Sequence, residues 1–465
     1  MAHDSVGLLL AKLSFPAMAG MMLYAMFSLI DTYFVAKLGP TALAALTLSL
    51  PVNLLIISVG SATGIGLTSL ISRTLGRGDV KHADNIAWHG IIIAVLYGIL
   101  FLFFGLKYID NILFFLGCGP DIFLLSKQYL TVILLGCVFI FIPMMVGNII
   151  QGEGNTLIPM LVALLGIALN VLFDPIFMFG FGPIPGLGIQ GAAIATVLAQ
   201  ATASTMIIII ILKRRDLLTW SFKNFKPSLR VILGIYKVGI PTMIMEIAGV
   251  FIMILLNRIL AGYSYTSVAA LGIFLRIRSL VYMPIFGLSQ GTMPIAGFAY
   301  GSGNNDRVKE TILKASAISF ILLGIAWTII QYNATWIISF FSDDPALTLV
   351  GVKCLQIATL FMPLIGPLVI LNTVFQALGK GMIAMWLSLI RQLIIFIPLL
   401  LILPQYLDLN GVWYAFSLSE LLSVVVAIPF FIYLWRQLEK SNRVTVFMLF
   451  KQGYLLQRIW AWLKW

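Results

Sequence analysis

Twelve stretches of mostly apolar sequence, each long enough to fill a window of about 19 residues, begin near residues 12, 48, 86, 126, 157, 188, 231, 272, 310, 350, 381 and 410. About 20 apolar residues coiled as a helix match the roughly 30 Å hydrocarbon core of a bilayer. No water is available there to satisfy a backbone N–H or C=O, so only helices or a closed barrel can cross. The expected fold is therefore an all-α polytopic membrane protein with twelve transmembrane helices. Composition excludes the soluble alternative: the chain is 61% hydrophobic and 10% charged, whereas about a quarter of the residues of a soluble domain are charged. The first stretch, Leu13 to Ala36, is too long for a signal-peptide core and is expected to persist as a spanning helix.

In so apolar a chain the net charge of +12 marks topology rather than a nucleic-acid partner. Between Lys213 and Lys237 lie Arg214, Arg215, Lys223, Lys226 and Arg230 against the single acid Asp216, which places this segment in the cytoplasm. Counting outward, the loops with Arg73, Arg77 and Lys81 and with Arg307, Lys309 and Lys314 fall on the same side, as do both chain ends. Asp343, Asp344 and Asp408 fall on the other. The expected location is the cytoplasmic (inner) membrane. Cys118, Cys137 and Cys354 have no metal-ligand spacing, and His3, His82 and His89 sit near segment ends, so nothing in the pattern points to an enzyme or a cofactor. From about Leu438 to Trp465, basic residues alternate with Phe447, Phe450, Trp460, Trp462 and Trp465, as in a helix lying in the membrane interface.

The chain also repeats itself. Pro16 matches Pro241, Ala44-Ala45-Leu46 matches Ala269-Ala270-Leu271, Gly76-Arg77-Gly78 matches Gly301-Ser302-Gly303, and Gln151 and Gly154 match Gln376 and Gly379, all at an offset of 225 residues. After a small slip Gln190-Gly191 matches Asn410-Gly411 at 220. Each repeat holds six spans, an even number, so the halves are parallel and related by an axis along the membrane normal. The expected organisation is an N-terminal lobe (1–212), a cytoplasmic linker (213–237), a C-terminal lobe (238–437) and a tail (438–465). Two pseudo-symmetric six-helix lobes with a path between or within them form a transporter that can work as a monomer.

Within the first lobe the interior acids are Asp31 and Asp174, with no Lys or Arg deep in its spans. An acid at the centre of a spanning helix costs roughly 2.5–3.5 kcal/mol on insertion scales, so it normally serves a function. Asn170 lies four residues before Asp174 on the same helical face, and Pro175 frees the carbonyl of Val171 beside them. Both acids lie 17 to 19 residues along their helices and share a level. Their repeat equivalents, Leu256 and Ile394 or Leu399, are apolar, so the acids mark a site rather than a scaffold. Desolvated carboxylates of this kind take up and release protons near neutral pH. The same oxygens, with a hydroxyl from Thr196, are hard ligands suited to Na⁺, and the residues alone leave H⁺ and Na⁺ both open. In the second lobe Glu246 and Glu420 accompany Arg276, Arg278 and Arg391, where opposite charges are expected to pair; Glu246 is the candidate there for a functional role.

On these residues the chain resembles the multidrug and toxic compound extrusion (MATE) family, in its prokaryotic DinF-like branch. The likeness rests on Pro16, on Asp31 within Ser28-Leu29-Ile30-Asp31-Thr32, on Gly76 to Asp79, on Gln151 to Thr156, on Asn170 to Pro175 and on Gly191 to Thr196, and it spans almost the whole chain. The resemblance implies two lobes around a V-shaped cavity and export of small organic, often cationic or amphipathic compounds from the lipid membrane in exchange for H⁺ or Na⁺. It places the ion site at Asp31, Asn170, Asp174 and Thr196, with helix bending at Pro16 and Pro175. Phe27 stands where relatives often carry a tyrosine. A lipid-linked oligosaccharide flippase of the wider superfamily is the alternative.

Overall fold

The computed structural model describes residues 4–451 except 184, 215, 216 and 343; the side chains of 27–29, 31–33, 261, 265 and 441–451 are not described. Asp31, Phe27 and the aromatic-basic tail beyond Lys440 therefore lie outside the described side chains. The first half holds α1 (Val6–Lys37), α2 (Pro40–Gly76), α3 (Val80–Lys107), the short α4 (Ile109–Phe115), α5 (Pro120–Leu135), α6 (Cys137–Gly152), α7 (Leu157–Phe179) and α8 (Ile189–Lys213). The second holds α9 (Leu229–Ala261), α10 (Tyr265–Gly301), α11 (Asn305–Ser339), α12 (Pro345–Ala358), α13 (Ile365–Ala377), α14 (Gly381–Leu389) and α15 (Ile397–Lys451).

These helices make twelve spans. α5 and α6 form one span bent by 49°, and α12 and α13, their repeat equivalents, form another bent by 43°. The apolar helical run from Gly381 to Lys440 breaks at Asp408, whose φ of 48° and ψ of −137° are not helical, and so supplies two spans. Several helices begin six to eight residues before their apolar windows because polar caps carry them past the hydrocarbon: Ser5 accepts from the Leu8 N–H and Asp79 from the His82 N–H. Asn304, the repeat partner of Asp79, accepts in the same way from the Arg307 N–H. Gly78 and Gly303, just before this pair of caps, have φ of 79° and 76°, a conformation that L side chains resist.

The lobes exchange the starts of their first helices. Val6, Leu9, Leu10 and Leu13 of α1 are buried in a core with Leu288, Ala299, Val308 and Val374 of the second half. Val231 and Ile235 of α9 are buried in the core of the first half, with Leu67, Ile71 and Ile86. α1 packs along α10, and α2 along α9. The far ends return to their own lobes: Val35 joins Ala42 and Leu113 in one core, and Leu256 and Leu260 join Phe274 and Trp413 in another. The lobes are thus sealed together at the end carrying the linker, which runs over 214–228 rather than the expected 213–237 because α9 already begins at Leu229. At the other end Met22 and Met26, Leu50 and Leu54, and Val250 and Ile254 stand exposed.

Four polar side chains among the described residues hold the linker onto the first lobe: Asp84, Glu153, His89 and Asn85, whose Oδ1 accepts from the Lys226 N–H at 2.9 Å. Asp84 is fully buried and accepts from the backbone N–H of Thr219 (2.9 Å) and Trp220 (3.2 Å), from the Thr219 hydroxyl and from Asn224 Nδ2 (2.8 Å). Glu153 accepts from the Leu218 N–H (2.9 Å) and pairs with Arg214 (3.5 Å). His89 Nε2 accepts from the Ser228 N–H at 3.1 Å while Nδ1 faces the Asn85 carbonyl at 2.8 Å. Asp84→Ala strands several buried donors and is expected to lower stability by about 3 kcal/mol. Limited trypsinolysis should then cut at Lys223 faster; cutting at the wild-type rate would show that the linker is held by other contacts.

Candidate functional site

α7 buries a single stripe, Val162, Gly166, Asn170, Asp174 and Met178, spaced four residues apart. It faces α8, whose buried positions include Gly191, Ala192, Ala193, Ala195, Ala199 and Ala203. Small residues let the two backbones approach closely, as in other membrane helix pairs. At Gly191 a Cβ would collide with the Phe177 carbonyl, so this crossing requires glycine. The close approach brings Thr196 to Asn170.

Asp174 is fully buried and Asn170 is 3% exposed. With its amide nitrogen toward the carboxylate, Asn170 donates to Asp174 Oδ2 (3.3 Å) while its oxygen accepts from the Thr196 backbone N–H (3.0 Å) and lies 3.2 Å from Thr196 Oγ1. The opposite orientation would set two N–H donors against each other at Thr196 and two oxygens against each other at Asp174, so the α8 backbone fixes which end of the amide meets the acid. The Thr196 hydroxyl also reaches the Ala192 carbonyl, 3.0 Å away, within its own helix. Asp174, Asn170 and Thr196 thus form one chain of contacts. Pro175 remains inside α7, and Pro16 and Pro241 inside α1 and α9. α1, the helix that carries Asp31, packs against α7.

Among the described side chains, Asp174, Asn170 and Thr196 offer few ligands to Na⁺ in this orientation. The Asn170 oxygen is engaged by α8, and it is the amide nitrogen that faces Asp174. A cation at the carboxylate would meet a donor where it needs a ligand, whereas a proton on the carboxyl needs no cage.

Glu246 on α9 has a different setting. It accepts from Ser61 Oγ of α2 at 3.3 Å, across the lobe boundary, where Tyr97 of α3 also meets Tyr236 of α9 through their hydroxyls. Ser61 and the tyrosine pair have no signature in the sequence, because their meeting depends on the exchanged helix starts. Deeper in the second lobe Arg278, Arg391 and Glu420 come together, but among the described residues none of the expected ion pairs forms. Arg276 is exposed. The buried acids Asp84 and Glu153, which sequence reasoning passed over, serve the linker rather than the site.

The MatE family model matches residues 16–176 and again 241–402. The Multidrug export protein MepA of Staphylococcus aureus (strain MRSA252) is 27% identical over 437 residues, covering 93% of this chain and 94% of that protein. Its namesake in Staphylococcus saprophyticus is 26% identical over 434 residues, with 93% and 94% coverage. A solved structure described as the outward-facing conformation of a multidrug resistance MATE family transporter of the MOP superfamily is similar with a TM-score of 0.88 and 27% identity, covering 95% of this chain and 97% of that one. A MOP superfamily transporter from Pyrococcus furiosus, described as having a binding pocket of reverse polarity, has a TM-score of 0.87 at 27% identity, with coverage of 94% and 97%.

Proposed function

The chain belongs to the MatE family, and from that premise we propose that it is a multidrug efflux transporter that exchanges small organic, often cationic compounds for protons through Asp174. Family membership makes it a multi-pass membrane transporter and not an enzyme. The observation that carries the coupling is the buried Asp174 carboxylate with Asn170 locked against it by Thr196. Asp31, on the adjacent α1, is the second acceptor in this reading, and Pro16 and Pro175 are the points at which their helices bend.

The linker end, with its basic loops, faces the cytoplasm. In this reading the sealed end of the lobes is the cytoplasmic one and cargo leaves at the other end. Protonation of the first-lobe acids removes charge from the α1–α7 contact and reshapes the wall of the cleft, lowering its affinity for cargo. Loss of the proton resets it. The exposed Met22, Met26, Leu50 and Leu54 offer an adaptable apolar surface for compounds of varied shape. Because both lobes come from one chain, the monomer suffices.

In liposomes, an imposed proton gradient is expected to drive uphill movement of ethidium, and a sodium gradient at constant pH is expected to drive none. Sodium-driven uptake without proton dependence would overturn the coupling assignment. Failure of both gradients in folded protein would overturn the antiport reading and turn attention to lipid-linked cargo.

A further inference from the structure

The second lobe holds a polar cluster that first-lobe coupling does not use, with Glu420 and Tyr282 buried and Arg278 and Arg391 half-buried. Arg278 lies on α10, Arg391 in the π-helical segment Ile390–Phe396, and Glu420 on the outer half of the α15 span. Tyr282 donates its hydroxyl to Glu420 Oε1 at 3.4 Å. The Arg278 guanidinium carbon is 5.2 Å from the Tyr282 ring centroid and 5.7 Å from that of Phe416. Arg391 is within electrostatic range of Arg278, Tyr282 and Glu420. Neither arginine reaches a carboxylate within ion-pair distance among the described residues. Arg391 Nε, Glu420 Oε2 and Trp413 Nε1 are buried with no hydrogen-bond partner, and Glu420 is only 6% exposed. Trp413 is seven residues before Glu420, on the same helical face.

The repeat places this cluster where the first lobe keeps its ion site. At the 225 offset Arg391 corresponds to Gly166, one turn before Asn170 on the buried stripe of α7. At the 220 offset Glu420 corresponds to Gln200, one turn after Thr196 on α8. Because the two helices run in opposite directions, both displacements are toward the linker end. The same helix pair, on the same faces, therefore carries an acid and its amide in one lobe and two guanidiniums around a carboxylate in the other.

Two cations and one anion leave a surplus positive charge inside a spanning bundle, a state that normally attracts a counter-charge. π-Helical turns recur at functional sites because they re-aim side chains out of the regular helical register, and Arg391 sits in one. Guanidinium groups are suited to halide-sized or planar carboxylate anions. The geometry points to a binding site for one monovalent anion, a halide or a carboxylate, held between Arg278 and Arg391. Glu420, already anchored by Tyr282, is the competing internal anion.

The test is radiolabelled chloride binding to the purified chain in lipid nanodiscs, in buffer otherwise free of small anions. A single saturable site is expected in the wild type and, unchanged, in Asp174→Asn. Arg278→Gln and Arg391→Gln should weaken it by about thirtyfold or more, and Arg391→Lys should restore part of the loss. Glu420→Gln should tighten binding, an effect that misfolding does not produce. Displacement of chloride by benzoate at similar concentration would assign the site to carboxylates, and lack of displacement would assign it to halides. Absence of saturable binding of either anion in the wild type would overturn the assignment. So would unchanged binding in Arg391→Gln with an unaltered thermal midpoint.

Discussion

Asp174→Asn is expected to reduce proton-driven export to the level of empty liposomes while leaving the protein folded in the membrane. Asparagine has nearly the shape of aspartate and keeps an oxygen at the position of Oδ2, so the 3.3 Å contact with Asn170 survives. It removes a charge that costs roughly 2.5–3.5 kcal/mol at the centre of a spanning helix, so the thermal midpoint should hold or rise. What it cannot do is gain and lose a proton, and without that difference between two states the gradient has nothing to act on. Asn170→Ala should be milder: the acid remains but loses its fixed donor, a hydrogen bond to a charged group worth about 1.5–3 kcal/mol, which should shift the pH at which export is half-maximal. The measurement is ethidium transport in liposomes at matched protein content. Wild-type uphill transport by Asp174→Asn would remove this carboxylate from the coupling path.

The membrane fold was legible because hydropathy acts on every residue of a span, and the repeat was legible because its markers are backbone requirements. Gly78 and Gly303 recur because the same left-handed turn recurs, and α5–α6 and α12–α13 recur as bent spans. The chain of Asp174, Asn170 and Thr196 was legible for a related reason: two of its members are one turn apart on one helix, and a carboxylate in an apolar run is conspicuous. The orientation of the Asn170 amide was not, since it is decided by a backbone N–H on α8. Nor was the exchange of helix starts between the lobes, because Leu9 and Leu10 are equally apolar whichever core receives them. Asp84 escaped notice for the opposite reason: near a segment end it passes for a solvated acid, and only the folded linker shows it surrounded by donors.

The exchanged helices make the linker-end seal testable at a pair of positions related by the repeat. A Cβ at Gly76 would overlap the Phe298 carbonyl, and a Cβ at Gly301 would overlap the Arg73 carbonyl. Both glycines and both carbonyls are separated by the 225-residue offset, so one contact is the pseudo-symmetric image of the other. Neither clash can be relieved by a rotamer, because the obstructing atom is backbone. Gly301→Val is therefore expected to cost the sealed state about 1–3 kcal/mol. If the lobes relieve the strain by parting at that end, about 2 kcal/mol shifts the sealed-to-open ratio by roughly thirtyfold. Ser69, fully buried where its hydroxyl donates to the Gln376 carbonyl at 2.5 Å, is the reporter. With Cys118, Cys137 and Cys354 replaced, Ser69→Cys should resist maleimide in the parent and react in the Gly301→Val background, with ethidium export falling in parallel. Gly324→Val, at a site with open space around its Cβ, should change neither. Continued protection of residue 69 together with wild-type export in Gly301→Val would mean that the seal does not depend on this crossing, and that the lobes are held by the α1 and α9 starts alone.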